Sequence, residues 1–511
     1  MNNQENISPT FAFFLLISSI LLIFFLTLQP FNFAISGGLS FATVLDNFYY
    51  TTTLNDFLIN LFLLTPFGFS FAWVCSIKKI NINALFFLTI LASFSFSLTI
   101  ELVQTFSPVR NSNTMDLIAN TISGGFGLII FRYCRNYIFQ GIKFLLNPQK
   151  LSLVLTAYLT FALILSATLP NATQLNNWDS FPLALGNELN RKRPWQGQVY
   201  QFYLANRTLS QAELTTALTG TNPFNDNPNG LIAAYEIVGN YNYPDKAGNL
   251  KDLTWQNATP KFAANEPVLL NKQNWLATTS PIKLISQRVK ETSQFTIVAT
   301  IATNKTEQVG PARIISHSQD NRLRNFSLSQ YHSDLSFRFR TPITSKNGNK
   351  PELIVPNVFS DTQPHNIVVS YDGAQVLFYI DQLEKNYTVP LIPGIGFYEL
   401  ANPFPSPWRI HLESDYFGIY NLFYYELIFI PLGILAALIT IVFQNQIIKQ
   451  ILLISLVIFL PPLFLEAIWI IGKGKKFSGE NVLLSLAITL GTMVIIKVAI
   501  LSWRTIKPTN P

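Results

Sequence analysis

Eight apolar stretches constrain this chain more than any other feature of its sequence. A membrane-spanning helix needs ~20 mostly apolar residues. Five such stretches precede residue 170, three follow residue 415, and the region between them is polar. We therefore predict a polytopic α-helical membrane protein of about eight transmembrane helices with one large inserted domain. The stretches lie near residues 11–29, 56–76, 82–105, 114–133, 151–169, 419–442, 450–471 and 481–503.

The composition agrees with a chain that is partly membrane-embedded and partly soluble. Charged residues make up 12% of the 511 residues and hydrophobic residues 49%, and the charged share is about half that of a soluble protein. The net charge of +7 comes mostly from basic residues at the ends of apolar stretches or interspersed with acids. This pattern argues against a nucleic-acid partner. The two cysteines, Cys75 and Cys134, argue against a disulfide-stabilised domain.

Basic residues beside the apolar stretches predict the orientation in the membrane. If both termini are cytoplasmic, most of these basic residues lie on the cytoplasmic side of the membrane, which agrees with the positive-inside rule. Residues 170–415 are then extracytoplasmic. The loop that contains Lys473, Lys475 and Lys476 disagrees with this arrangement.

These boundaries divide the chain into four parts. We expect a helical membrane domain at 1–150, a fifth transmembrane helix at 151–169, the extracytoplasmic domain at 170–415 and three C-terminal helices at 416–511. Residues 134–150 mix basic and aromatic residues, which is typical of either an amphipathic surface helix or a linker. Glu466 lies inside an apolar stretch, where it either snorkels to the outer interface or joins the polar cluster of the first helical bundle.

The polar middle region changes to an alternating pattern. Short runs rich in β-branched and aromatic residues are separated by turn residues, which predicts an antiparallel sandwich or jelly roll. The runs lie at residues 295–301, 313–316, 325–329, 334–340, 365–371 and 376–380.

Polar side chains three or four residues apart form stripes on three of the predicted membrane helices. Unpaired polar groups in hydrocarbon are costly, so these stripes should face one another. The predicted orientation places them toward the outer leaflet, where they form either an open pocket or a closed network that only fixes helix packing. The pocket candidates are Asp56, Asn60, Glu101, Gln104, Arg110, Asp116 and Asn120.

Four further residues are predicted to shape the helix packing. Pro66 and Gly68 should break or kink the second apolar stretch. Gly124 and Gly127 should let another backbone approach closely.

This ordered set of residues resembles the VanZ-like family of bacterial membrane proteins. The family pattern is an acid and an asparagine before Pro-x-Gly, then Glu-x-x-Gln, Arg, Asp-x-x-x-Asn and glycines, and the chain shows it over about residues 10–135. Members often carry a further acid shortly before the aspartate, where this chain has neutral polar residues between Arg110 and Asp116. The resemblance implies a four-to-five-helix domain of the cell envelope, in a family named for a protein linked to low-level glycopeptide resistance. It implies no particular reaction.

Residues 225–415 resemble concanavalin A-like or laminin-G-like jelly rolls. The resemblance rests on Tyr371-Asp372-Gly373 and on Tyr379-Ile380-Asp381, after which Gln382 replaces the usual glycine. Residues 195–210 resemble the closing strand of such folds, yet here they precede the opening strand. We therefore predict a permuted jelly roll in which residues 197–204 pair with strands of the same sandwich. By analogy, such folds bind glycans or act as adhesion modules.

The leading functional hypothesis is recognition of an envelope lipid headgroup or glycan through an outward-facing polar pocket and the external jelly roll. One alternative is a membrane-embedded enzyme acting on a lipid or cell-wall precursor, with Glu101 and Asp116 as acid and base. Another is a glycan-binding adhesion or sensing protein that the helices anchor. The sequence contains no P-loop, dinucleotide fingerprint or nucleophile elbow, which favours a non-enzymatic protein.

We expect no cofactor and no metal, because the four histidines lack metal-ligand spacing. The expected partners are membrane lipids and a glycan or cell-wall precursor, in a bacterial plasma membrane.

Overall fold

A computed structural model of the chain describes residues 9–28, 54–78, 80–106, 112–239, 241–257, 259–260, 267–401, 407–413, 417–473 and 477–504. The chain divides into two compact units. The first, here called the helical unit, comprises Met1–Thr160, Ile428–Leu463 and Glu480–Pro511. The second, the sandwich unit, comprises Phe161–Leu427 and Phe464–Gly479.

The helices are numbered along the chain. They are α1 Pro9–Leu28, α2 Leu54–Leu63, α3 Thr65–Ile77, α4 Ile82–Gln104, α5 Thr114–Leu145, α6 Pro148–Ala172, α7 Gln211–Leu218, α8 Lys283–Thr292, α9 Gly396–Ala401, α10 Phe417–Val442, α11 Ile447–Lys473 and α12 Gly479–Arg504.

Within the described residues, seven helical segments are long and apolar enough to cross a membrane. A shorter apolar stretch, Leu15–Phe24, lies in α1. The predicted polytopic membrane architecture is therefore confirmed, and the count of about eight helices stays a prediction. The seven segments are Asn60–Ile77, Ile82–Gln104, Thr114–Cys134, Pro148–Ala172, Phe417–Val442, Ile447–Gly472 and Gly479–Val498.

The second apolar stretch is divided in two, as Pro66 predicts. α2 ends at Leu63 and α3 begins at Thr65, so the break falls at Leu64. Pro66 lies in the first turn of α3, where its missing N–H is tolerated.

Residues 134–145 continue α5 without a break. The linker interpretation is therefore wrong for this part, and the amphipathic surface helix stays a prediction. Leu151 is buried in the following helix.

Sixteen strands are described in the sandwich unit. They are β1 Leu183–Leu185, β2 Gly197–Ala205, β3 Leu231–Glu236, β4 Asn242–Tyr243, β5 Leu253–Asn257, β6 Leu269–Leu270, β7 Asn274–Thr278, β8 Phe295–Thr303, β9 Gln308–Ser318, β10 Arg324–His332, β11 Asp334–Phe339, β12 Glu352–Val355, β13 His365–Tyr371, β14 Gln375–Ile380, β15 Gln382–Pro390 and β16 Arg409–His411.

The strands form two sheets, which confirms the predicted β-sandwich. One has the order β16-β12-β11-β10-β9-β1-β7-β5-β4, and the other β15-β14-β13-β8-β2-β3 with β6 beside β2. β2 lies between β8 and β3, with Phe202 opposite Ala299 and Tyr235. The predicted pairing of residues 197–204 inside the same sandwich is therefore confirmed. The concanavalin A-like or laminin-G-like type of jelly roll stays a prediction.

The core lies between the two sheets and includes Phe295, Leu328 and Phe378. The opposite face of β8 is also buried, because Val298 packs with residues of α7 such as Leu218. A strand that is covered on both faces favours a nearly continuous apolar sequence. This explains why the alternation in residues 295–301 is weak.

A buried ion cluster stabilises the outer side of the nine-stranded sheet. Glu188 Oε1 accepts hydrogen bonds from Arg313 Nε at 2.5 Å and Arg324 Nη1 at 3.1 Å, and all three side chains are at most 1% exposed. Burial by itself would raise the pKa of Glu188, but the two guanidinium groups outweigh it and lower that pKa.

The sandwich is joined firmly to the helix ends that share its unit. Thr173, just beyond α6, donates to the Gly373 carbonyl at 2.9 Å and accepts from Tyr371 Oη at 2.6 Å. Gly394 N donates to Asn421 Oδ1 of α10 at 3.1 Å. These hydrogen bonds fix the adjoining ends of α6 and α10 to the β-sandwich.

Candidate functional site

A stripe of small polar residues leads along α4 to Glu101. Thr89, Ser93 and Ser97 precede Glu101 at intervals of four residues and are completely buried. Residues four apart share one helix face. The hydroxyls of Thr89 and Ser93 donate to the carbonyls four residues earlier at 2.8 Å, which satisfies them without an outside partner.

α5 packs a matching stripe against this face. Asn120 Nδ2 donates to Ser97 Oγ at 3.1 Å, and both side chains are buried. One turn further, a Cβ on Gly124 would lie 1.9 Å from Ser93 Oγ. The backbone of α5 therefore approaches α4 at a distance that only glycine permits.

α3 completes a tightly packed three-helix contact. A Cβ on Gly68 would lie 2.0 Å from the Gly124 carbonyl oxygen, and one on Gly127 would lie 2.2 Å from the Thr65 carbonyl oxygen. Thr65 Oγ1 and Ser123 Oγ are hydrogen-bonded at 3.1 Å. Gly68, Gly124 and Gly127 thus lie where helix backbones meet, whereas Pro66 is exposed.

Glu101 links the end of α4 to the start of α5. Its side chain is 2% exposed, and Oε2 accepts a hydrogen bond from Asn113 N at 2.8 Å. Ser112 Oγ donates to the Glu101 carbonyl at 2.7 Å. Asp116 in the first turn of α5 is close enough to interact electrostatically with Glu101. Two carboxylates therefore lie together at one end of the helical unit.

Gln104 and Asn60, two further predicted pocket residues, lie on different helices. Gln104 Nε2 donates to the Thr27 carbonyl of α1 at 2.9 Å, so its amide connects α4 to α1. Asn60 is half-buried in α2, and α2 packs against α5. The side chain of Asp56 and all of Arg110 lie outside the described residues.

The carbonyl oxygen of the Asn120 side chain lacks a donor in the part of the chain that the structure describes. Oδ1 is buried, and no described residue forms a hydrogen bond with it. It lies one turn from Asp116 on the same face of α5. The site around Glu101, Asp116 and Asn120, here called the acceptor site, is thus rich in hydrogen-bond acceptors, and the amide oxygen is left without a donor.

Sequence reasoning identified the acids and amides of this region but missed its hydroxyls. Ser93, Ser97 and Ser123 line the contact between the helices, and Ser112 with Asn113 holds Glu101 in place. The available signal was the four-residue spacing of Thr89, Ser93, Ser97 and Glu101.

Glu466 belongs to the sandwich unit and is buried, and both interpretations of its position stay predictions. It is 5% exposed and accepts a hydrogen bond from Ser478 N at 3.2 Å. Nearby, Ser166 Oγ and Tyr424 Oη are hydrogen-bonded at 2.7 Å, and the rings of Tyr424 and Trp469 are 6.5 Å apart.

Within the described residues, no group of three or more His, Cys, Asp or Glu side chains could hold a metal ion. Asp372 Oδ1 accepts from the backbone N–H groups of Ala374 and Gln375, as turn aspartates do. Asp381 Oδ2 is paired with His365 Nδ1 at 2.8 Å.

A comparison with known proteins finds a family match in the N-terminal part of the chain. Residues 11–139 match the protein-family model described as VanZ/LLP1, which covers about a quarter of the sequence. The resemblance to VanZ-like proteins is confirmed over this stretch, which contains the acceptor site. No curated protein and no solved structure matches the chain significantly.

Proposed function

We propose that this VanZ-like membrane protein recognises an envelope lipid headgroup or glycan through its polar pocket and its external jelly roll. The observation that carries the proposal is the acceptor site, where two carboxylates and an amide oxygen without a donor lie together in a membrane domain. A buried acceptor such as Asn120 Oδ1 is unfavourable without a donor in a medium of low dielectric constant. A ligand that brings donors would remove this deficit.

The chemistry of the site favours a headgroup with N–H or O–H donors. A primary ammonium group would donate to Glu101 or Asp116 through charge-assisted hydrogen bonds, which are stronger than neutral ones. A sugar hydroxyl would donate an ordinary neutral hydrogen bond to Asn120 Oδ1. A quaternary ammonium group carries charge but no donor, so it would satisfy the site poorly.

The proposal includes the predicted orientation. Both termini would be cytoplasmic and residues 170–415 extracytoplasmic, in the plasma membrane of a bacterium. The position of Lys150 at the start of α6 supports this arrangement, because Thr173 at the other end of α6 is bonded to the sandwich. Residues 1–150, 151–169 and 416–511 would then form the membrane parts.

The test compares lipid retention by full-length protein in nanodiscs of phosphatidylcholine doped with phosphatidylethanolamine. Native mass spectrometry should show at least about tenfold preferential retention of phosphatidylethanolamine. Glu101→Gln and Asp116→Asn should each abolish the preference. The side-chain amide introduced by Glu101→Gln can still accept the hydrogen bond from Asn113 N, so the melting temperature should stay the same.

Glu480→Gln is the matched control, because Glu480 is an exposed acid in the first turn of α12. It should retain lipid like the wild type. If the Glu101 and Asp116 variants retain lipid normally, or lose retention only together with thermal stability, the acidic residues serve helix packing and the proposal fails. Conversion of the retained lipid by wild-type protein, lost in Glu101→Gln, would favour the acid–base enzyme instead.

A further inference from the structure

We propose that a groove at one end of the nine-stranded sheet binds a neutral saccharide. The inference rests on the proposed role of the external β-sandwich in recognition and assigns that role a location and a ligand class. The groove has a volume of 640 Å³, within the ~300–1,000 Å³ range of small-molecule sites. It is lined by Ser180, Phe181, Pro182, Leu189, Gln256, Thr278, Thr279, Ser280, Pro281 and Gln319.

Segments distant in sequence meet in the groove. Residues 180–182 lead into β1, and residue 278 ends β7. Gln256 lies in β5, and Gln319 follows β9. Because β9, β1, β7 and β5 are adjacent in the sheet, the groove spans four strands.

The lining is polar without being charged. It combines four hydroxyl side chains and two glutamine amides with the apolar surfaces of Phe181, Pro182, Leu189 and Pro281. Hydroxyls and amides both donate and accept hydrogen bonds, which matches the mixed character of sugar hydroxyls. The apolar residues suit the C–H faces of a sugar ring. No lining residue is acidic or basic, so neither an anionic nor a cationic ligand would find a counter-charge.

Several of these polar groups are free to bind. The side chains of Ser180, Thr279 and Gln319 are exposed, and none of these side chains forms a hydrogen bond with another described residue. Among the described residues, Gln256 Nε2 donates only to Thr254, over long distances of 3.3 and 3.4 Å. The side-chain polar groups of Ser180, Thr279 and Gln319 are thus not used by the described part of the fold.

The floor of the groove is held rigidly. The Phe181 carbonyl accepts from His317 Nε2 and from Ile282 N, both at 2.9 Å. Leu183 N donates to Thr278 Oγ1 at 3.2 Å, and Trp178 Nε1 donates to the Arg340 carbonyl at 2.8 Å. A preformed site loses little conformational entropy on binding.

His317 beneath the floor adds no charge at neutral pH. It is completely buried, and this burial lowers its pKa to about 4. Because Nε2 donates to the Phe181 carbonyl, Nδ1 is the nitrogen that accepts from Asn325 Nδ2 at 3.1 Å. The neutral ring therefore adds no charge beneath the groove.

The experiment uses full-length protein in phosphatidylcholine nanodiscs. Binding is screened on an array of neutral and acidic di- and trisaccharides and measured for the best binder by isothermal titration calorimetry. Wild-type protein should bind neutral saccharides. Gln319→Ala should weaken binding about five- to tenfold, as expected for one lost hydrogen bond. Thr279→Trp, which fills the groove, should abolish binding.

Gln363→Ala is the matched control, because Gln363 is an exposed glutamine of the same unit outside the groove. It should bind like the wild type, and all variants should keep the wild-type melting temperature. The proposal is overturned if wild-type protein binds no saccharide or only acidic ones. Wild-type affinity in Thr279→Trp would overturn it as well.

The two proposals fail separately. Glu101→Gln should lose its lipid preference and keep saccharide binding. If the wild-type protein shows the lipid preference but binds no saccharide, only the groove proposal is refuted. Saccharide binding without lipid preference would remove only the role of the acceptor site.

Discussion

Replacing Gly124 with alanine should destabilise the helical unit by about 1–3 kcal/mol, the usual cost of overpacking. The new Cβ would lie 1.9 Å from Ser93 Oγ and 2.5 Å from Ser93 Cβ. Both distances are far shorter than van der Waals contact, so α4 and α5 must separate or Ser93 must move. Ser93 Oγ is bonded to the Thr89 carbonyl at 2.8 Å within its own helix, which restricts such a movement.

The structure also predicts a specific rescue. In Gly124→Ala the next nearest atom is Ser93 Cα at 3.9 Å, which is an ordinary contact. Adding Ser93→Gly removes both clashing atoms. The double variant, which combines Ser93→Gly with Gly124→Ala, should therefore regain most of the lost stability. No such rescue exists for Gly68→Ala, because its Cβ would meet the backbone carbonyl of Gly124 at 2.0 Å.

The assay is unfolding of the purified protein in mixed detergent micelles, analysed as a double-mutant cycle. The coupling energy between the two sites should be about 1–3 kcal/mol. Gly141→Ala is the control in the same helix, since nothing lies within 4 Å of its Cβ position, and it should be neutral or stabilising by up to ~1 kcal/mol. The close contact between α4 and α5 is refuted if the double variant is as unstable as Gly124→Ala. It is also refuted if Gly141→Ala lowers the free energy of unfolding as much as Gly124→Ala does.

Three further predictions concern the sandwich unit. Glu188→Ala should lower the free energy of unfolding by about 3–5 kcal/mol, because it leaves two buried arginines without their carboxylate. Burial lowers the pKa of His317 to about 4. Between pH ~6.5 and ~4 the unfolded chain therefore binds a proton that the folded protein does not. About 3 kcal/mol of folding stability should be lost as the pH falls through this range. His365 behaves oppositely, because its hydrogen bond to Asp381 raises its pKa. The stability that protonated His365 adds should be fully present below pH ~6.5 and should be lost as the pH rises through the raised pKa.

Each of these predictions has its own check by denaturant titration. Glu291→Ala is the control for Glu188, since it removes only an exposed ion pair with Arg288 and should change stability by less than ~1 kcal/mol. In His317→Gln the free energy of unfolding should fall less between pH ~6.5 and ~4 than in the wild type. In His365→Asn it should fall less as the pH rises above neutrality. If either variant keeps the pH dependence of the wild type, the role assigned to that histidine is contradicted.

Much of the architecture could be predicted from the sequence because its signals are local. A helix in lipid satisfies its backbone groups within one segment, so apolar length alone identified Ile82–Gln104 and Pro148–Ala172. Likewise, the runs at 365–371 and 376–380 contained their own strand signal and became β13 and β14. Pro66 marked the helix break for the same reason, since it acts on the backbone next to it.

The candidate site was predicted only in part. Glu101, Asp116 and Asn120 were recognisable because polar groups are conspicuous in an apolar segment. Ser97 and Ser93 were not, because a hydroxyl can bond to its own helix and is inconspicuous in any apolar helix. Their importance comes from what faces them across the interface, namely Asn120 and Gly124.

The sequence by itself determined the class of protein: a helical membrane chain with a β-sandwich between two groups of helices. The tertiary structure alone decided which distant residues meet. β1 is inserted between β7 and β9, and β16 pairs in parallel with β12, which no local pattern encodes. Ser180, Gln256 and Gln319 share a groove for the same reason. Hydropathy and periodicity act over a few neighbouring residues, whereas packing joins segments that are far apart along the chain.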